Sequence, residues 1–396
     1  MKVLFVINNF YTKGNGMAAS ARRTVAFLKE AGVDIKILSG KNPDPEGPQP
    51  DFCLDDYTLP IFNYLVVKQG YQFSEYDRKT CREAVAWADV VHLEEPFVLE
   101  CHVARYAARI GKAVTATYHL HPENLLASVH LDGVSFFSDA TVRMWNTVCY
   151  RYCSDIQCPT QNVLERLKKA KFKSRLHVIS NGLILDPVRS EAQRDPEDKA
   201  FNIVNIGRYS VEKDQQTLFK AMRYCKHAKE IRLIFAGKGP EEDNYRKTAD
   251  KLVSDGVLQY APQFVFLDAQ GLKDLARTSD LFVHCAYIEV EGLSCLEALQ
   301  EGLVPLIAEG KLSATSQFAI DHHSTFPAKD AKALAKKIDW WIEHPDRLRK
   351  MEKAYAKLAK DYDIHKSIDA LIRMFEKALS SKKQPDDIDE SGEYAL

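Results

Sequence analysis

The sequence predicts an α/β protein built from two parallel-sheet domains. Three observations carry this prediction: short apolar runs alternate with helical stretches, the rhythm stops near residues 186–200, and the second half repeats the opening. With 396 residues the chain exceeds what one core usually supports, and its 45% hydrophobic content is ample for two.

The alternation begins with KVLFVI, a helical stretch from Ala18 to Ala31, and VDIKIL. DVVHL, AVTATYH and DIQCP continue it, a rhythm that indicates parallel strands covered by helices. In DPVRSEAQRDPEDKA, Asp186 to Ala200, prolines and charges replace apolar periodicity, which places an interdomain linker there. Beyond it come a strand, FNIVNIG, a polar loop with a basic residue, and a helix, DQQTLFKAMRYC. The expected boundaries are residues 1–185 for the first domain, 186–200 for the linker and 201–364 for the second domain. Ala331 to Leu379 reads as helical with a break at His344 and Pro345, and the polar, acidic residues 381–396 are expected to be disordered. Ligands of open α/β sheets bind beyond the carboxyl ends of the strands, so the motif loops of both domains are expected to converge on one cleft that closes by a hinge.

A formal net charge of −1 argues against a nucleic-acid binder that relies on many phosphate contacts. No apolar run approaches the ~20 residues needed to span a bilayer, and the N-terminus enters a strand instead of a signal pattern. The expected location is cytoplasmic. Nine cysteines without a C-x2-C pair fit reduced thiols better than a disulfide framework, and the spacing of Cys149, Cys153 and Cys158 is unlike that of zinc sites.

The most informative stretch is EVEGLSCLE, in which Glu289 and Glu297 lie eight positions apart around Gly292, after an apolar run from Leu281 to Ile288 that reads as a strand. With a helix starting near Gly292, Glu289 sits in the loop and Glu297 about one turn in. The helix terminus between them, at Gly292, Leu293 and Ser294, presents unpaired N–H groups at the positive end of the dipole and suits a phosphate. A nucleotide-sugar, with hydroxyls at both ends of a diphosphate, is a ligand that such an arrangement fits.

EVEGLSCLEALQEGLVPLIAEG resembles the E-x7-E signature of the retaining GT-B glycosyltransferases of family 4. NIGRYSVEKD, Asn205 to Asp214, resembles the family's strand followed by G-R-x4-K. FAGKGPEE (Phe235 to Glu242), FVFLDAQGLKDLARTSDLFV (Phe264 to Val283), VISNGL (Val178 to Leu183) and a glycine loop at Gly14 to Gly16 fall in the expected order. The resemblance covers all but the last residues. It implies a GT-B fold: two Rossmann-like domains facing each other across a deep cleft, the first binding the acceptor and the second the nucleotide-sugar. Residues 365–380 would form a helix that crosses back to the first domain.

The resemblance also implies roles. Arg208 and Lys213, five apart in a loop after a strand, would stabilise the leaving diphosphate, the Arg as a two-pronged donor and the Lys as a point charge. Glu297 would accept hydrogen bonds from the ribose hydroxyls and Glu289 would lie at the sugar. Gly14 and Gly16 would let the first-domain backbone approach the donor. Gly237 and Lys238, in the turn that ends at Gly239, would lie near the phosphate or base. His119 would hydrogen-bond the reacting sugar, with His121 and Glu123 on the next loop touching the acceptor. One departure is Glu291, where the family usually has an aromatic residue. Facing the diphosphate it would repel it by about 1 to 4 kcal/mol at about 4 Å, so it is expected to point away or to meet a positive group on the acceptor.

Two D-x-D spacings, Asp361 with Asp363 and Asp387 with Asp389, sit away from any strand end. With Arg208 and Lys213 available, no metal and no cofactor are expected. The segment from Thr160 to His177 turns Val163, Leu164 and Leu167 toward a core, while Lys168, Lys169, Lys171, Lys173 and Arg175 crowd the rest; such a face suits water and also anionic lipid. The expected activity is transfer of a hexose, glucose or galactose, from a UDP-sugar to an acceptor hydroxyl with retention of configuration. The acceptor would be a membrane lipid of diacylglycerol or ceramide type, reached by peripheral docking on the inner face of the plasma membrane, or alternatively a capsular or surface polysaccharide. A nucleotide-sugar epimerase would need no acceptor, and a non-catalytic sugar-nucleotide or lipid binder would not need both acids and both cations. A nicotinamide dehydrogenase is disfavoured because no G-x-G-x-x-G follows a strand.

Overall fold

The computed structural model describes residues 1–12, 16–57, 72–127, 135–185, 195 and 197–381. Most of the expected linker, Gly14, Asp387 and Asp389, and residues 382–396 lie outside them. The chain divides into two compact units: Met1–Pro122 with Val134–Asn181 and His365–Leu396, and Glu123–Gly133 with Gly182–Ile364.

The first unit is built on a parallel sheet of seven strands, in the spatial order Phe52–Leu54, Asp34–Gly40, Lys2–Val6, Val90–Leu93, Ala113–Thr117, Asp155–Cys158 and Arg175–Val178. Three of these strands, Val90–Leu93, Ala113–Thr117 and Asp155–Cys158, are buried along their whole length, as expected where helices cover both faces of a sheet. They nevertheless carry His92, Thr115, Thr117, Asp155 and Gln157. Register turns this into a pattern: His92 pairs with Thr115, and Thr117 with Gln157, so buried polar side chains meet across neighbouring strands. The covering helices start at recognisable caps. Asp77 accepts from Thr80 N at 2.7 Å before Arg78–Trp87, and Thr160 caps Gln161–Lys169. From His365 onward the last helix, Ile364–Ser380, belongs to this unit, laying Phe375 against His92 with ring centroids 5.1 Å apart.

The second unit repeats the plan with six parallel strands, ordered Gln263–Val265, Ile231–Ala236, Phe201–Ile206, Leu281–His284, Val304–Glu309 and Thr325–Pro327. Phe219, Phe235 and Phe264 stack in its core. Asp268 and Asp330 cap the helices Ala269–Arg277 and Ala331–Glu343, and Pro345 opens the next helix, where its missing N–H costs nothing. Both sheets have the doubly wound order of Rossmann-like domains. In each, the order reverses beside the first strand, and the loops leaving the two strands at that switch point are where such sheets bind ligands. In the second unit those loops are Gly207–Asp214 and Cys285–Gly292.

The structure corrects one element here. The run Leu281 to Ile288 is not a single strand: the main-sheet strand ends at His284, and Ile288–Glu289 forms a separate parallel pair with Leu312–Ser313. Between them Tyr287 N donates to Glu212 O at 3.2 Å, so the intervening backbone bonds to the Gly207 loop instead of continuing the ladder.

Candidate functional site

The loop after Phe201–Ile206 closes through a single 3-10 turn, Val211–Lys213, and through Asp214, whose left-handed backbone (φ 48°) redirects the chain into helix Gln215–Met222. Two sequence-expected cations lie in this loop, each on a carboxylate. Arg208 Nη2 donates to Glu212 Oε1 at 2.7 Å, and Ser210 Oγ donates to the same oxygen at 2.7 Å. Lys213 Nζ donates to Glu289 Oε2. His284 Nε2 stands 3.6 Å from that oxygen and 3.3 Å from Thr315 Oγ1. Burial alone would raise the Glu289 carboxyl, but Lys213 and then His284 hold it well below the usual carboxylate range. Burial pushes the His284 imidazole down against the pull of Glu289. The second unit thus places Arg208, Lys213 and Glu289 in two ion pairs on the loops after Phe201–Ile206 and Leu281–His284, and adds Glu212, His284 and Thr315, which sequence reasoning missed. The strand-ending VHCAY was the signal for His284.

Gly292 begins helix Leu293–Gln300 with φ +89°, and a Cβ there would lie 2.5 Å from Thr315 Oγ1, so conformation and space both require glycine. Leu293 and Ser294 are half-buried in the first turn, and Glu297 is exposed on the helix. Glu291 is only 2% exposed and lies near Tyr362, so it is not open to solvent.

The second glycine turn is constrained by the backbone that faces it. A Cβ on Gly237 would lie 2.0 Å from Gly207 O, and one on Gly239 2.2 Å from Tyr209 O. Tyr209 N donates to Lys238 O at 3.0 Å and Glu241 N to Tyr209 O at 3.1 Å. These glycines are therefore required by close packing of two loops of the protein, independently of any ligand. Lys238 is exposed, its Nζ 4.3 Å from the centroid of Phe266, which is 56% exposed.

In the first unit His119 lies two residues beyond Ala113–Thr117, nearly buried, with Nε2 2.8 Å from Glu94 Oε2. His121 and Glu123, expected on a loop touching acceptor, are 0% and 4% exposed, and Arg166 Nη1 donates to His121 Nδ1 at 3.0 Å. Neither is presented at the surface, and Glu123 already belongs to the second unit. Gly16 is the first residue of helix Gly16–Glu30 and has open space around its Cα, whereas Gly14 falls outside the described residues.

Sequence reasoning missed the polar interior of this unit. Asn8, directly after the first strand, has its backbone N–H on Glu95 Oε2 at 2.8 Å, and its Nδ2 donates to Glu95 at 2.9 Å and to Glu100 at 2.9 and 3.0 Å. The clue was HLEEPFVLE, with its acids next to a strand that is otherwise apolar. Glu94 itself is pushed up by burial but held down, to about 2, by His119 and His92.

In the basic segment, Val163, Leu164 and Leu167 are buried and Lys168, Lys169, Lys171 and Lys173 exposed, but Arg175 donates to both oxygens of buried Asp155, at 2.8 and 2.7 Å, so its charge is countered there. Among the described residues one cluster, Asp321, His322 and His323, has the spacing of metal ligands, yet Arg347 already holds Asp321 Oδ2 at 2.5 Å and His323 stacks on Trp340 at 3.5 Å. No helix among the described residues is long and apolar enough to cross a membrane.

Comparison with known proteins completes the assignment. Residues 14–186 match the domain described as Glycosyltransferase Family 4, and residues 189–358 match Glycosyl transferases group 1. Sucrose-phosphate synthase from Thermosynechococcus elongatus has a TM-score of 0.74 at 15% identity, over 96% of this chain and 99% of that one. Alr3699/HepE from Anabaena, in complex with UDP, has a TM-score of 0.66 at 15% identity, over 95% and 100%. The catalytic domain of cholesterol-alpha-glucosyltransferase from Helicobacter pylori is 41% identical over 41% of this chain and 98% of that chain, with a TM-score of 0.38. No curated protein matches the chain. Two domain matches in tandem, lying along two doubly wound sheets, show that the chain belongs to the GT-B glycosyltransferases of family 4.

Proposed function

We propose that the protein transfers a hexose, glucose or galactose, from a UDP-sugar to an acceptor hydroxyl, with retention of configuration and without a divalent metal. The observation that carries this reading is the pairing of Lys213 with Glu289 beside the helix start at Gly292, with Arg208 in the same loop. A diphosphate arriving at that helix terminus meets two permanent cations and unpaired backbone N–H groups, which together stabilise the charge of a leaving UDP. Lys213 then exchanges its carboxylate for phosphate, and Glu289, ionised, is released to the sugar. Glu297, exposed on the helix, accepts from the ribose hydroxyls. Structures of Alr3699/HepE contain UDP, UDP with glucose, and UDP-glucose, a class of ligand that this loop suits in charge and in hydrogen-bonding groups. In the retaining reaction a phosphate oxygen of the donor takes the proton of the acceptor hydroxyl, so no separate strong base is required.

The exposed lysines at 168, 169, 171 and 173 support a lipid acceptor of diacylglycerol or ceramide type at an anionic membrane surface. One assay tests these points together: radiolabelled UDP-glucose and UDP-galactose incubated with the protein and a membrane extract, with and without EDTA, followed by organic extraction. Label is expected in the organic phase in both conditions, and Arg208→Ala and Lys213→Ala are each expected to lower its rate by about a hundredfold or more. Unchanged turnover in both variants would overturn the diphosphate role, loss of activity with EDTA would overturn metal independence, and label confined to the aqueous phase would overturn the lipid acceptor.

A further inference from the structure

The helices Gln215–Met222 and Glu242–Ser254 both belong to the second unit, and a groove of about 340 Å³ opens between them. Its floor is apolar, with Phe219 and Leu252 buried. Its rim is basic: Lys220 and Arg223 stand on one side, Lys247 and Lys251 on the other, all four exposed. No carboxylate is among the described residues that line it. Arg223 Nη2 donates to Asp255 Oδ2 at 2.7 Å, whereas Lys220, Lys247 and Lys251 make no ion pair among the described residues. Lys247 and Lys251 lie one turn apart on the same side of their helix, a like-charge spacing that disfavours the helix unless an anion sits beside it. Uncompensated charges around a concave, apolar-floored surface focus a positive potential, which the same charges scattered on a flat face would not do. Gln216, also in the lining, has a buried Oε1 without a hydrogen-bond partner among the described residues, and half a turn of its amide presents an N–H to an anion.

We propose that this groove binds a small soluble ligand carrying two or more phosphate charges, held by Lys220, Lys247 and Lys251. Its size falls at the lower end of small-molecule pockets, which run from about 300 to 1,000 Å³. The recessed floor and the absence of an exposed apolar side chain in the lining suit a discrete anion better than a bilayer, which needs side chains that enter it. The proposal concerns residues apart from Arg208 and Lys213 and holds whatever their loop binds. It does have a consequence for that loop. The two helices start at turns whose backbones already bond each other, Tyr209 N to Lys238 O at 3.0 Å, and Tyr245 Oη donates to Gln215 Oε1 at 3.0 Å. An anion in the groove ties the same two helices together further along.

The test is isothermal titration calorimetry of the full-length protein with sodium tripolyphosphate, at about 50 mM and about 300 mM salt and without divalent metal. Wild type is expected to bind at the lower salt and more weakly at the higher. Lys247→Gln combined with Lys251→Gln is expected to weaken a binding step by about tenfold or more while keeping the thermal midpoint of the unliganded protein. Lys220→Gln, from the facing helix, is expected to weaken the same step by a smaller factor, and Lys213→Ala to retain it. Absence of binding at low salt, or equal affinity in wild type and the double variant, would overturn the proposal. Binding lost in Lys213→Ala but unchanged in the double variant would place the anion on the other loop and overturn it too. Flotation with phosphatidylglycerol vesicles covers the lipid source: vesicle binding that requires Lys247 and Lys251, in a protein that does not bind tripolyphosphate, would assign the groove to lipid headgroups and overturn the soluble ligand.

Discussion

In the second unit the carboxylates of the candidate site rest on permanently charged partners, Glu212 on Arg208 and Glu289 on Lys213, whereas in the first unit Glu94 rests on two histidines and Glu95 and Glu100 share Asn8. Arginine and lysine keep their charge across the physiological range, while imidazoles and crowded buried carboxyls do not. The second arrangement suits a constant task, such as countering a diphosphate. Both units lose stability in acid, where Glu289 as well as Glu94 is held below the usual range, and the first unit adds Glu100, a carboxyl pushed well above it.

The largest expected effect probes the fixed pair. Lys213→Met leaves Glu289 charged and mostly enclosed beside His284, and should cost about 3 kcal/mol in urea unfolding. Adding Glu289→Gln should return most of it. A loss below about 1 kcal/mol would remove the contrast between the units.

A comparable effect, confined to acid, is expected at Glu94. Its folded value of about 2 lies below an ordinary 4.5, so the carboxylate contributes about 3 kcal/mol that is fully present above pH 4.5 and lost as pH falls toward 2. Wild type should therefore exceed Glu94→Gln in stability at pH 6, with the gap closing through that window. A gap independent of pH would break the assignment.

The smallest effect has the opposite sign. Burial, and then the charge of Glu95, push the Glu100 carboxyl well above 4.5, so the folded state holds its proton and loses stability as pH rises from 4.5 toward the folded value. Glu100→Gln should thus stabilise the protein near pH 7 by about 1 kcal/mol and have no stabilising effect below about pH 4, as followed by thermal unfolding. Destabilisation at pH 7 would show that Glu100 is ionised there and would bring the two units closer in kind.

Much of the architecture was legible because parallel strands buried on both faces are written as continuous apolar runs, and the loops after FNIVNIG and LFVH follow directly from those runs. The positions of Arg208, Lys213 and Glu289 were legible as a local spacing around loops. The polar chain from Gln157 to His119 was not. Its members, Gln157, Thr117, His92, Glu94 and His119, come from three separate segments and meet through strand register, which sequence distance does not encode. His121 and Glu123 read as loop residues open to an acceptor, yet the fold encloses both, and it encloses Glu291 as well. The turn of Gly237 and Gly239 reads as lying near the phosphate or base, and the tightest constraint on both glycines is the neighbouring backbone, which sequence spacing does not reveal.

That backbone constraint bears on how this protein can diverge. Since not even a methyl group fits between Gly239 and Tyr209, insertions or bulkier residues in either loop would force the other to rebuild, and random drift at both is penalised together. Tolerated variation is thereby channelled to side chains that project away from the junction, Lys238 and Phe266 foremost. A mutagenesis library built on this fold would do best to randomise those two positions and leave the paired turns untouched.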